Sequence, residues 1–212
     1  MSSHSSLLLD IGGTNMRYAY ANRKNMTDEK ILSNISDENI TSTLNDLLSN
    51  PQIKNTVIAA AGPRLGNKIK MTNRGVIIDG NFLGKKFKLS NSQVLNDWEA
   101  VGYAVDEMTL KQIKRGKSES NVDLMIGPGT GLGFAIVSDG KVIPTEIGNT
   151  KLHSDLLLKN LGIKPSKSFA VLEDVISGPA ISRAYQSRYK KKLSPEEIVL
   201  LAKKRNPKAK FI

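Results

Sequence analysis

Leu7-Leu-Leu-Asp-Ile-Gly-Gly-Thr-Asn-Met-Arg17 decides how this chain is read, because an apolar strand enters a glycine turn and the turn passes straight into a second strand. Arg17-Tyr-Ala-Tyr-Ala21 supplies that second strand, so the segment predicts a hairpin with Asp10, Gly12, Gly13, Thr14 and Asn15 around its tip. In a P-loop or a dinucleotide-binding unit the glycine turn opens a helix. Here neither a helical period nor Gly-Lys-Ser/Thr follows. The arrangement returns later in the chain: Val122-Asp-Leu-Met-Ile126 leads into Gly127-Pro-Gly-Thr-Gly-Leu-Gly133, and 132–138 reads as the returning strand.

A glycine-rich hairpin tip can hold phosphate, since glycine permits conformations in which successive N–H groups converge on an anion. Thr14 and Thr130 add hydroxyl donors beside Gly127, Gly129 and Gly131. Asp10 repels a phosphate, so its role at such a site is to hold magnesium through water. Either turn alone is better read as a tight hairpin using glycine for geometry only. Two of them in topologically similar places favour function.

Outward from these turns, 30–34 reads as a third strand, and Ser36 precedes Ile40, Leu44, Leu47 and Leu48 at helical spacing, predicting a capped helix over 37–49. Thr56-Val-Ile-Ala-Ala-Ala61 is continuously apolar, as expected of a strand buried on both faces. Short strands are predicted at 67–72, 76–79 and 93–96, then a helix over 99–105. The polar stretch 111–121 reads as a loop. The final third predicts helices over 153–160, 168–176, 178–190 and 195–204, with Ser194-Pro-Glu-Glu197 as a helix start. The expected class is α/β in two lobes: a domain over 1–108, a linker over 109–121, and a second, partial domain over 122–212.

Composition narrows the chemistry. With 212 residues, 39% hydrophobic and 24% charged, the chain has a globular composition, and no apolar run reaches the roughly 18 residues of a membrane span. The opening segment lacks a basic start, so a cytoplasmic location without membrane partners is expected. Cysteine is absent, which excludes thiolate nucleophiles, disulfides and cysteine-bound zinc. The net charge of +11 suggests nucleic acid at first, but residues 183–212 carry ten Lys or Arg against Glu196 and Glu197, leaving only +3 for the rest. Tyr185 and Tyr189 accompany those bases four apart on a predicted helix, where packing is the better reading than a stacking platform. Nucleic acid is therefore not an expected partner.

The first turn resembles the first phosphate motif of bacterial glucokinases, and Gly127 to Gly133 resembles their second. Ala60-Ala-Gly-Pro63, Met71-Thr-Asn73, Leu95-Asn-Asp-Trp-Glu-Ala-Val101, Pro144-Thr-Glu-Ile-Gly148 and Glu173-Asp-Val-Ile-Ser-Gly-Pro179 are similar to that family in order and spacing. The resemblance implies an actin/hexokinase-like (ribonuclease H-like) fold and ATP- and Mg2+-dependent phosphorylation of D-glucose at its 6-hydroxyl, and it is compatible with a homodimer. It implies that Asp97 takes the hydroxyl proton, although local sequence alone reads Asp97 as the N-cap of the following helix. It further implies that Asn73, Asn96, Glu146, Asn149 and Glu173 contact the sugar, for which carboxylates and amides have suitable donors and acceptors. An isolated Glu would otherwise be placed on the solvated surface.

The chain departs from the family in two ways. Asn149 stands where glucokinases usually carry a histidine, which leaves open a non-catalytic sugar-binding relative or a kinase of another hexose or amino sugar. Family members also continue well past the position of Ile212, with an adenosine motif and further helices, so the second lobe is expected to be incomplete.

Overall fold

Leu7, Leu9 and Ile11 turn inward along β1 (Ser6–Ile11) while Ser6, Leu8 and Asp10 face the other way, the two-residue period of a strand. That alternation puts Asp10 at the strand's end on the side away from the core. The computed structural model describes residues 5–23, 25–72, 74–117, 120–151 and 155–212. β1 pairs antiparallel with β2 (Asn15–Ala21), setting Asp10 opposite Arg17, and β3 (Lys30–Ser33) extends the meander.

α1 (Asp37–Leu48) follows, with Ile40, Leu44 and Leu48 buried on one stripe. Ser36 caps it, its Oγ accepting from the Asn39 amide at 3.2 Å. Ser36→Ala is expected to cost about 1 kcal/mol, read as a lower urea midpoint with an unchanged m-value.

β4 (Asn55–Ala60) lies parallel to β1. Its last three residues are buried, but Val57 is only half-buried, so the strand is covered on both faces only toward its end. β5 (Arg64–Leu65), β6 (Lys68–Lys70) and β7 (Ile77–Asp79) form a small antiparallel sheet. The strands expected at 67–72 and 76–79 are thus shorter than predicted.

α2 (Gly80–Lys86) was not anticipated, because Gly80 and Gly84 weaken its helical signal. Asp79 nevertheless starts it, accepting from the Phe82 amide at 3.1 Å. β8 (Asn91–Asn96) then runs parallel to β4, completing a mixed sheet in the order β3-β2-β1-β4-β8, and α3 (Asp97–Ala104) leaves its end. One apolar core, built on Leu7, Ile11, Met16, Ile40, Leu48, Ile58 and Val94, holds α1 to this sheet.

The chain divides into two units. The first takes in residues 1–120 with 142–144, the second 121–141 with 145–212. Residues 109–117 carry neither helix nor strand. In the second unit β9 (Val122–Pro128) and β10 (Leu132–Ser138) form an antiparallel hairpin with Gly133 opposite Gly127. β11 (Lys141–Pro144), also not anticipated, follows in the chain, its residues 142–144 belonging to the first unit.

α4 (Asp155–Asn160) covers the described part of the helix expected over 153–160. The helix expected over 168–176 does not form. Two short 3-10 turns, Lys167–Phe169 and Leu172–Asp174, take its place. Asp174 Oδ2 accepts from the amides of Ala170 at 3.0 Å and Val171 at 3.1 Å, so a side chain replaces the carbonyls an α-helix would use.

α5 (Gly178–Tyr189) and α6 (Pro195–Lys203) match expectation, and a short α7 (Pro207–Phe211) lies past the last predicted helix. Tyr185 is buried beside Ile198 and Ala209, so it packs the helices together.

Candidate functional site

The first glycine turn closes through the Gly12 amide, which donates to the Asn15 carbonyl at 2.9 Å. Asp10 Oδ2 accepts from Arg17 Nη1 at 3.0 Å, and Arg17 Nε also reaches Glu29 at 3.1 Å. Behind the turn lies Arg74, which sequence reasoning missed. Its guanidinium donates to Gly13 O at 2.5 Å, Ile35 O at 2.9 Å and Asp37 Oδ1 at 2.8 Å. Nothing in the local sequence marks Arg74, because its three partners come from two distant segments. Asn73, beside it, lies outside the described residues.

β8 delivers Asn96 and Asp97 to the same unit. Asn96, not Asp97, is the N-cap of α3: its Oδ1 accepts from Trp98 N at 2.9 Å and Glu99 N at 3.2 Å, while Glu99 Oε2 accepts from Asn96 N at 3.2 Å. Asn96 Nδ2 donates to Gly62 O at 3.0 Å, so of its four hydrogen-bonding sites one Nδ2 hydrogen is left to offer a ligand. Gly62 itself sits at φ +149°, where a Cβ would lie 2.4 Å from Lys70 O, which explains the glycine of Ala-Gly-Pro.

With the cap supplied by its neighbour, Asp97 becomes the first residue of the helix and its carboxylate is half-buried. Burial pushes its pKa up, the Trp98 amide at 2.9 Å opposes this, and the negative charge of Asp10 raises it further. The two carboxylates, 87 residues apart in sequence, therefore feel each other. Two residues on from Asp97, the Glu99 side chain is 3% exposed and pairs with the Arg64 guanidinium.

The second glycine turn is built in the other unit. Gly129 N donates to Gly131 O at 2.9 Å, and Gly129 O accepts from the Gly178 amide at 2.8 Å, the first residue of α5. Glu173 lies under the turn, its Oε2 accepting from Leu132 N at 3.0 Å. A Cβ on Gly131 would stand 2.6 Å from that oxygen, so glycine there leaves room for the carboxylate.

Glu146 precedes and Asn149 ends the 3-10 turn Ile147–Asn149, and Asn149 Nδ2 donates to Glu146 Oε2 at 3.2 Å. The amide that replaces the expected imidazole is thus tied to a neighbouring carboxylate. Gly148 packs against Leu132 and Glu173, which brings Glu146, Asn149 and Glu173 together beside the second turn.

Asn96, Asp97, Asp10 and the first turn belong to the first unit; Glu146, Asn149, Glu173 and Gly127–Gly131 belong to the second. Among the described residues no group of three or more His, Cys, Asp or Glu could hold a metal. Magnesium does not require one, since it binds through one or two carboxylates, waters and substrate phosphates. Asp10, whose Oδ1 remains beyond its bond to Arg17, fits that demand. Among the described residues no helix is long and apolar enough to cross a membrane.

The sequence model of the glucokinase family matches residues 7–210. A glucokinase-like protein of Xylella fastidiosa is 28% identical over 203 residues, covering 86% of this chain and 61% of its own length. A glucokinase of Mesorhizobium japonicum is 35% identical over 139 residues, 61% of this chain and 40% of that protein. Among solved structures, glucokinase from an Antarctic psychrotroph superposes with a TM-score of 0.70 at 26% identity, covering 97% of this chain and 72% of the other. Glucokinase from Balamuthia mandrillaris in complex with glucose gives 0.68 at 21% identity, covering 96% and 70%. The fold is the α/β actin/hexokinase-like fold of these sugar kinases. The chain spans about 60% of the length of the curated Xylella relative.

Proposed function

Since this chain belongs to the glucokinase family, we propose that it serves an ATP-dependent hexose kinase that phosphorylates D-glucose at its 6-hydroxyl. The observation that carries this reading is Asp97, a half-buried carboxylate at the junction of β8 and α3 whose affinity for a proton is raised by burial and by Asp10. Phosphoryl transfer needs an oriented alcohol, an acceptor for its proton and donors around the moving phosphate.

In the proposed reaction Asp97 takes the proton of the sugar 6-hydroxyl as its oxygen bonds to the γ-phosphorus, and the bond from that phosphorus to the bridging oxygen breaks to release ADP. Asn73, Asn96, Glu146, Asn149 and Glu173 bind sugar hydroxyls in this reading. The amides of the turns at 10–15 and 127–133 bind phosphate oxygens. Bound Mg2+, held by Asp10 through water and by the nucleotide, would neutralise charge on the phosphates.

A coupled assay for glucose 6-phosphate, run with ATP and a panel of hexoses and amino sugars, tests the proposal. Glucose as preferred acceptor supports it; transfer to another sugar alone moves the substrate while keeping the chemistry. A second reading, a sugar-binding relative without turnover, is favoured by one observation, the Asn149–Glu146 bond where an imidazole is expected. Glucose binding by calorimetry with no ADP formed would decide for it.

A further inference from the structure

Each glycine turn is fastened from behind at the carbonyl of the glycine preceding its threonine. We infer that Arg74 is a positioning residue that aims the Thr14 amide at a phosphate. The inference rests on the phosphate-binding reading of the turns and adds to it a residue outside every motif that suggested it.

A trans peptide is planar, so the carbonyl of residue 13 and the N–H of residue 14 point in opposite directions. Arg74 holds the Gly13 carbonyl at 2.5 Å and thereby turns the Thr14 N–H to the far side of the turn. The next peptide is fixed as well, because Thr14 O accepts from Ile35 N at 3.3 Å. The turn is open to solvent: Thr14 is exposed, and a Cβ built at Gly13 meets nothing within 4 Å.

Arg74 is itself immobilised. Its side chain is 12% exposed, its Nη1 lies between Ile35 O and Asp37 Oδ1, and Asp37 Oδ2 accepts from the Gly75 amide at 2.8 Å. The Gly75 amide and the guanidinium hold the Asp37 carboxyl below its ordinary range, so the pair stays charged at neutral pH. Three acceptors in different directions call for the fixed fork of a guanidinium; a lysine ammonium cannot hold that geometry.

The second turn reaches the same state by another route. Gly129 O accepts from the Gly178 amide at 2.8 Å, which turns the Thr130 N–H away from α5, and a Cβ at Gly129 also meets nothing within 4 Å. Thr130 is therefore an internal reference for Thr14.

The test uses the full 212-residue chain labelled with 15N and titrated with magnesium tripolyphosphate. In the wild type both threonine amide resonances are expected to move. In Arg74→Lys the shift of the Thr14 amide at saturating ligand should shrink several-fold while that of Thr130 stays within about twofold. Arg74→Ala should behave likewise, with added guanidinium ion restoring the Thr14 response; if that variant fails to fold, the lysine variant still decides. An unchanged Thr14 response, or equal weakening at both threonines, overturns the role of Arg74. No response at either threonine in the wild type overturns the phosphate reading and this inference with it.

Discussion

Asp97→Asn is expected to lower kcat for glucose phosphorylation by about 100- to 10,000-fold, the range lost when a general base is removed, while the glucose Kd changes only a few-fold. Asparagine keeps the shape and the bond to the Trp98 amide but cannot take the hydroxyl proton. Turnover like the wild type in the coupled assay would sink the assignment. The raised pKa adds two consequences. A base must be ionised to act, so the acid limb of kcat/KM should lie above the pH of about 4 at which an ordinary aspartate titrates.

The same shift acts on stability with the opposite benefit. A carboxyl whose folded pKa lies above its unfolded pKa ionises first in the unfolded chain, so stability falls as pH rises between those two values and stays lower above them. Asp97→Asn removes that cost and is expected to raise the urea midpoint at pH 7. A gain in stability with a loss of turnover is not what a merely structural aspartate would give.

The second large effect is expected at Arg64. Glu99 is 3% exposed and accepts from the Asn96 amide, so Arg64→Met leaves a buried charge with its backbone partner alone. Breaking one side of a buried pair costs about 3–5 kcal/mol, and the loss here should lie toward the lower end because the Arg64 side chain is 26% exposed. Replacing Glu99 by leucine in the same chain should recover part of that loss, but not the capping-box bond that the glutamate makes. Equal stabilities of Arg64→Met and the wild type by urea unfolding would show that solvent already compensates Glu99.

What the sequence made legible follows from the range over which each signal acts. The hairpin at 6–21, the cap at Ser36 and the helix start at Ser194-Pro195 are local patterns, and each stands where it was expected. The second turn with its flanking strands was readable for the same reason.

The helix expected over 168–176 failed because a helical composition says nothing of Asp174, whose carboxylate captures two amides of the preceding turn. The cap of α3 was assigned one residue too late, since Asn96 and Asp97 are both good N-caps and only the tertiary bond from Asn96 to Gly62 O fixes which one turns inward. In the candidate site, motif order marked Asp10, Asp97 and Glu173. Arg74, Asp37 and Arg64 stayed hidden because their partners lie 35 to 61 residues away.

The bond from the Gly178 amide to the Gly129 carbonyl leaves the two turns unequally exposed to mutation. The donor at position 178 belongs to the main chain, so only proline removes it, although a Cβ there would crowd the Gly129 carbonyl at 3.0 Å; the donor to Gly13 disappears with one codon change at Arg74. Drift among homologues should accordingly accumulate behind the N-terminal loop, and its C-terminal counterpart should resist it.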